Sequence, residues 1–363
     1  MEFKILSRDG NNVRLVSSRD ISNVNYDGIE EWLDYFYSHI TSEAKEYIVK
    51  SKYCNDTIKE SKADKTTKCS SNTDKKSIYI LSVEDMNNSV DEKGNSFLYP
   101  KTISWLANAS SEKKAIATRT YFNDTESKYM AFSKKYNFGV RPVITIKGDS
   151  QIKSGDGTEK NPYIFGETKV GKIGEYLNTR HTGEYIKYSN YIFRIIGTEE
   201  DGTTKVIIND VILKKIKYDS GMDTNAYNPK EKGNVGYKIN KIAGEYITGK
   251  QFVTKQISVP IYKTVSLYKK EAKTNGYKAK FAAPDMYELF SAYPQSDTAT
   301  SYWLINSSEE SDRQYLVSDV GVIYYEKLTT IAKANIRIVG YLDKDTKISL
   351  GEGTLEDPYT IVK

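Results

Sequence analysis

The feature that most constrains this chain is that it is written twice. Near the middle stands GVRPVITIKGDSQIKSGDGTEKNPYIF (residues 139–165), and the chain ends on NIRIVGYLDKDTKISLGEGTLEDPYTIV (335–362). Arg141 precedes Gly155 by 14 residues and Pro162 by 21, and Arg337 precedes Gly351 and Pro358 by the same intervals. Upstream, SWLANAS (104–110) matches YWLINSS (302–308), and VEDM (83–86) matches APDM (283–286). At the front, FKILSRDGNNVRLV (3–16) matches FRIIGTEEDGTTKVII (193–208). Offsets that stay between 190 and 200 through all of these blocks indicate a tandem duplication. With 363 residues in all, each copy is long enough to bury its own core. We place copy one at 1–167, a polar linker at 168–182 and copy two at 183–363.

The copies differ at their starts. Copy two opens with GEYIKYSNYIFRII (183–196), an alternating strand that runs into Phe193, whereas copy one has only Met1 and Glu2 before Phe3. One strand is therefore expected to be missing from copy one. Two readings fit: a leading segment, with a leader or anchor, has been removed, or another chain donates the strand to an open edge. The first residues lack the basic start, apolar stretch and cleavage site of a secretory signal.

Periodicity predicts α+β units, each a twisted, mostly antiparallel sheet with a few short helices. Asp9-Gly10 and Asp201-Gly202 read as hairpin turns between strands. Trp32, Leu33, Phe36 and Ile40 fall at helical spacing, with Asp27 as the expected cap. MYELFSAY (286–293) reads as a short helix behind Asp285, and QYLVSDVGVIYYEK as a hairpin.

The residue inventory argues against metal and thiol chemistry: two His, His39 and His181, and two Cys. No G-x-G-x-x-G, P-loop, H-E-x-x-H or G-x-S-x-G occurs, and pairs such as Glu309-Glu310 sit in surface-like contexts. We expect no enzyme activity, no cofactor and no metal. Cys54 and Cys69 flank a hydrophilic loop; a disulfide there suits an oxidising, extracellular setting, and two free thiols are the alternative. In SGDGTEKNPY and LGEGTLEDPY, the triplets Gly155-Asp156-Gly157 and Gly351-Glu352-Gly353 precede a turn-forming Pro. A structural turn is the economical reading, and a cation loop through Asp149, Asp156 and Glu159 is the other. Trp105 and Trp303 read as core anchors or sugar-stacking rings. Arg141 and Arg337, in apolar surroundings, need an internal carboxylate or carbonyl, or else a ligand.

One stretch stands apart in charge. Residues 205–280 hold sixteen Lys against six acidic residues and no Arg, a local net charge of +10 in a chain whose total is +5. Tyrosines are interleaved through it, and we take Tyr237, Tyr246, Tyr262, Tyr268, Lys269 and Lys270 as the candidate ligand-binding residues. Such a field suits glycans or another polyanion, or serves solubility and strand-edge protection. The absence of Arg argues against sequence-specific nucleic-acid reading. A mean hydropathy of −0.60 and no run of 18 apolar residues exclude a transmembrane helix from this sequence. The 30 Tyr and 11 Phe argue against a disordered chain.

The order APDM, YWLINSS, YLVSDVGVIYY, NIRIVGYLDKDTKISLGEGTLEDPY resembles a C-type-lectin-like surface domain of low-GC Gram-positive bacteria. Copy one resembles it through YCNDTI, WLANAS and GVRPVITIKGDSQIKSGDGTEKNPY. The resemblance implies two tandem lectin-like domains at the extracellular cell surface, often behind a prepilin-type helix or other anchor. It implies a type IV pilus-associated minor pilin or adhesin, whose partners are other pilus or surface subunits. Neither WLANAS nor WLINSS carries the calcium- and sugar-binding tripeptides of true C-type lectins, and copy two lacks cysteines. The alternatives are a structural fibre subunit without a ligand, or an enzyme on a formylglycine-generating-like fold.

Overall fold

The computed structural model describes residues 3–362 apart from 19, 21, 41, 71–74, 100–102, 120–126, 159–161, 166–169, 223, 266–268, 270–272, 293–299 and 320. It is mostly sheet with a few short helices, an α+β architecture, and divides into two compact units, Met1–Glu167 and Thr168–Lys363.

In unit 1 the front hairpin, Phe3–Asp9 with Asn12–Ser17, turns at Gly10, whose φ of +60° suits a residue without a Cβ. Asn12–Ser17 pairs with Pro142–Ile146, which also takes Ile78–Ile80 and Ile48–Val49, to make a five-stranded antiparallel sheet. Trp105–Ala109, Lys114–Thr118 and Tyr129–Ser133 form a second, three-stranded sheet. Val16, Tyr79, Leu81, Met86, Leu106, Ile116 and Val143 meet in the core. The helix Ile29–Ser38 buries Ile29 and the predicted Trp32, Leu33 and Phe36, whereas Ile40 falls beyond its end and is half-buried. Its expected cap differs: Asn25 accepts from the Gly28 N–H at 2.8 Å and caps a preceding 3-10 turn, so Asp27 lies inside that turn.

Unit 2 repeats this plan at larger size. A seven-stranded sheet runs in the order Phe281–Ala282, Val339–Leu342, Thr204–Ile208, Tyr191–Thr198, Tyr185–Tyr188, Tyr359–Val362, Lys347–Leu350. A second sheet holds Tyr302–Ser308 beside Ala334–Ile336 and Lys255–Tyr262, with Arg313–Val317 and Ile323–Lys327 as the expected hairpin. The twelve-residue helix Val235–Tyr246, capped by Asn234, packs Val235, Ile239 and Ala243 inward.

The same interactions hold both copies. Trp105 and Trp303 are buried, and each indole N–H donates to a backbone carbonyl, of Val24 and Ile216, at 2.8 Å. Arg141 donates to the carbonyls of Ser17 and Leu98, and Arg337 to those of Ile208, Asn209 and Ala292. Backbone carbonyls thus take up both guanidiniums, and burial lowers the Arg141 pKa against the pull of Asp20. Asn108 and Asn306 each accept from the first N–H of a short helix, that of Val83 or Met286. Val83 therefore matches Met286, which corrects the VEDM/APDM alignment by three residues: Ser82 and Asp285 are the equivalent caps, Asp85 and Glu288 the equivalent first-turn acids. Each acid pairs with a cation on the second strand of the front hairpin, Arg14 at 2.7 Å from Asp85 and Lys205 against Glu288.

The glycine triplets are turns. Gly155 and Gly351 have φ of +90° and +92°, and a Cβ there would strike the carbonyl oxygen of Pro162 or Pro358. Asp156 and Glu352 are exposed, and Glu159 lies outside the described residues. The expected linker is only in part a free connection. Gly171 donates to the Tyr359 hydroxyl at 2.8 Å, and Leu177 is fully buried with its N–H on the Thr346 carbonyl, so 171–180 belongs to unit 2.

Candidate functional site

Tyr302–Ser308 and Lys255–Tyr262 run parallel, and their register pairs Ile261 with Ser307 and Tyr262 with Ser308. Beside this junction a cleft of about 210 Å³ opens, lined by Asn225, Tyr227, Val259, Ile261, Tyr277, Ser307, Ser308 and Glu309 among others. Four segments build it, and Asn225 ties its own loop to the one after Tyr302–Ser308. Asn225 donates to the carbonyls of Ser308, Glu310 and Arg313 at 2.8–3.0 Å, and its own carbonyl accepts from the Ser307 hydroxyl at 2.8 Å. The Asn225 N–H reaches the Ser311 carbonyl at 2.8 Å, so the rim is braced by backbone. Val259 and Ile261 give an apolar floor, Tyr277 a half-buried ring, and Glu309 an exposed carboxylate at the mouth. Burial raises the phenols of the lining Tyr227 and of Tyr218, which keeps both neutral. An apolar floor, two tyrosine rings and a polar rim suit a neutral, hydroxyl-bearing ligand. The usual range for ligand pockets is about 300–1,000 Å³, so this cleft has room for one ring-sized group.

The tyrosines and lysines expected to bind do not converge on this cleft. Tyr262 is a core residue, 2% exposed and packed with Tyr302, Leu304 and Tyr315; its strand position turns the ring inward, which corrects its assignment as a ligand contact. Tyr237 and Tyr246 are half-buried on the helix Val235–Tyr246, and Tyr246 meets Tyr191 edge-on at 6.3 Å. Lys269 is exposed, and Tyr268 and Lys270 lie outside the described residues. Lysines of the strand Ile212–Ile216 and of the helix Val235–Tyr246 instead make separate local contacts. Lys214 stands 5.6 Å over the Tyr246 ring, and Lys238 donates to the Lys217 carbonyl at 3.2 Å. Lys215 and Lys241 are exposed nearby in sequence on the same two elements. Burial and the Lys217 charge lower the Lys238 pKa, against the pull of Asp219. Lys205 and Lys255 are engaged internally, with Glu288 and Asp201.

Cys54 and Cys69 are bonded to each other. Among the described residues, the grouping of acid, His and Cys side chains with converging ligand atoms is Cys54, Asp56 and Cys69, whose two sulfurs that bond already uses. No helix among the described residues is long and apolar enough to cross a membrane. The cleft was not among the sequence-derived candidates, although Ser307 and Ser308 close the WLINSS string and Tyr277 lies in the lysine tract. No family model, curated protein or solved structure matches the chain.

Proposed function

We propose that the chain is a non-enzymatic, extracellular surface protein of the adhesin or pilus-subunit kind, built from two C-type-lectin-like units. In this reading unit 2 binds one sugar-sized, hydroxyl-bearing group of a larger ligand. The carrying observation is the cleft between Asn225, Tyr277 and Ser307–Glu309, with its apolar floor, aromatic wall and polar rim. The Cys54–Cys69 bond supports an oxidising compartment. It also engages both cysteines of the chain, which works against the formylglycine-generating alternative. Among the described residues the lining supplies one carboxylate, Glu309, where glycoside hydrolysis generally uses a pair. A glycan array with and without calcium tests the reading. We expect retention of a glycan subset that is weakened at least tenfold by Tyr277→Ala and by Glu309→Gln. No retained glycan, or retention untouched by both substitutions, overturns it.

A further inference from the structure

The buried polar side chains of the unit 2 cleft already have partners inside the protein. The Asn225 amide serves the carbonyls of Ser308, Glu310 and Arg313, and the Ser307 hydroxyl serves the Asn225 carbonyl. Ser308 Oγ accepts from the Glu310 N–H at 3.2 Å. At the mouth the balance is different. Glu309 is exposed and, among the described residues, has no hydrogen bond or ion pair, so a ligand meets a free acceptor there.

The floor is aliphatic. Val259 and Ile261 flank Pro260 along Lys255–Tyr262, so both side chains take one face of that strand. Lys273–Ala279 pairs with it antiparallel and sets Tyr277 opposite Ile257, on the same face. Val259 is buried and Ile261 half-buried. A plain hexose suits such a floor poorly, because its ring carries hydroxyl groups. A hydroxyl pressed on Val259 and Ile261 loses its water and gains no partner. An acetamido group meets both halves of the cleft. Its methyl is apolar and packs on branched aliphatic side chains, and its N–H is a donor for a carboxylate.

We propose that the cleft recognises an N-acetylated hexosamine residue of a glycan, its acetamido methyl on Val259 and Ile261 and its amide N–H on Glu309. The inference rests on the sugar-binding reading of the same cleft and narrows it to one substituent. Tyr277 serves any pyranose, since one C–H face of the sugar ring stacks on its half-buried phenol ring. Val259, Ile261 and Glu309 set the specificity. The two aliphatic side chains reject a hydroxyl at that position, and the carboxylate rejects a second acceptor. A volume of about 210 Å³ suits this division, with the acetamido arm inside and the pyranose over the mouth.

The test is saturation-transfer difference NMR on the full chain, with dissociation constants for N-acetylglucosamine, glucose, glucosamine and N-acetyl-lysine amide. We expect N-acetylglucosamine to bind about tenfold more tightly than glucose, with its acetamido methyl receiving the strongest saturation. Val259→Thr places a hydroxyl on the floor at nearly unchanged shape, and is expected to erase that preference. The methyl signal needs no variant, so it decides the matter even where Val259→Thr folds poorly. Glucose bound as tightly as N-acetylglucosamine overturns this inference and leaves the sugar-binding reading standing. Glucosamine bound as tightly also overturns it, because the ammonium is then the recognised group. Equal binding of N-acetyl-lysine amide overturns it by assigning the acetamide to a protein side chain. No binding of any of these sugars overturns both readings.

Discussion

Ser82 and Asp285 occupy the same place in the two units, and only one of them ionises. Each caps a short helix: Ser82 accepts from the Asp85 N–H at 3.1 Å, and Asp285 from the Tyr287 N–H at 3.0 Å and the Asn306 amide at 2.8 Å. Burial, and then the neighbouring Glu288 charge, push the Asp285 carboxyl up to about 6, against the opposing pull of those hydrogen bonds and of Lys205. A carboxyl raised on folding binds its proton more tightly in the native state. Its contribution to stability is therefore full below the unfolded value of 3.8 and is lost as pH rises through about 6. Asn retains the cap geometry without the charge. Asp285→Asn is therefore expected to remove this loss, so that its denaturation midpoint gains on the wild type between pH 4 and 7. Urea titrations at those two pH values measure the gain, and parallel midpoints would show that Asp285 titrates as an ordinary carboxylate. Lys205 behaves differently: burial alone would lower it, but Glu288, Tyr341 and Glu199 outweigh that and hold it charged.

At the scale of elements, the disulfide is where the copies diverge most plainly. Cys54 and Cys69, 15 residues apart, close a loop that carries the short helix Glu60–Ala63. The loop rests on the capping Asn108, whose amide donates to the Asp56 carbonyl at 3.0 Å. Closing a loop of that length stabilises by roughly 3 kcal/mol, mainly by restricting the unfolded chain. The double variant Cys54→Ser, Cys69→Ser is expected to lose about that much in urea denaturation. Reductant should do the same to the wild type; quantitative alkylation of the native, unreduced protein would contradict the bond. The disulfide was legible because two cysteines flank one polar loop, and the hairpins and Arg141/Arg337 because repeated spacing marks them. The helix Val235–Tyr246 was not, since its lysines and tyrosines obscure Val235, Ile239, Ile242 and Ala243 at helical spacing behind Asn234. The cap alignment also escaped sequence matching, because Asp85 and Asp285 look alike in a string while the hydrogen bonds to Asn108 and Asn306 show them three residues out of step. The cleft was invisible for a deeper reason: Asn225, Tyr277 and Ser307 become neighbours only through the pairing of strands far apart in sequence.

For the whole molecule the relevant quantity is where the charge sits. The chain carries +5 overall, but residues 205–280 carry +10, which leaves the remainder net acidic. Within that stretch Lys205 and Lys255 are already paired with Glu288 and Asp201, so they add little to any outward field. Lys214, Lys215 and Lys241 are exposed on the strand and helix that meet at Tyr246, with Glu245 as the opposing acid next to that ring. A cluster of exposed ammonium groups attracts a polyanion by displacing its counterions, an effect that weakens steeply with salt. The full chain is therefore expected to be retained on immobilised heparin at low ionic strength and released as salt rises. Lys214→Glu combined with Lys241→Glu should shift release to distinctly lower salt, because two attractive charges become two repulsive ones. Lys205→Met should leave the release point unchanged and lower thermal stability instead, since it strands the half-buried Glu288. No retention at low salt would assign these lysines to solubility and edge protection alone, and retention indifferent to the double variant would put the anion contact elsewhere.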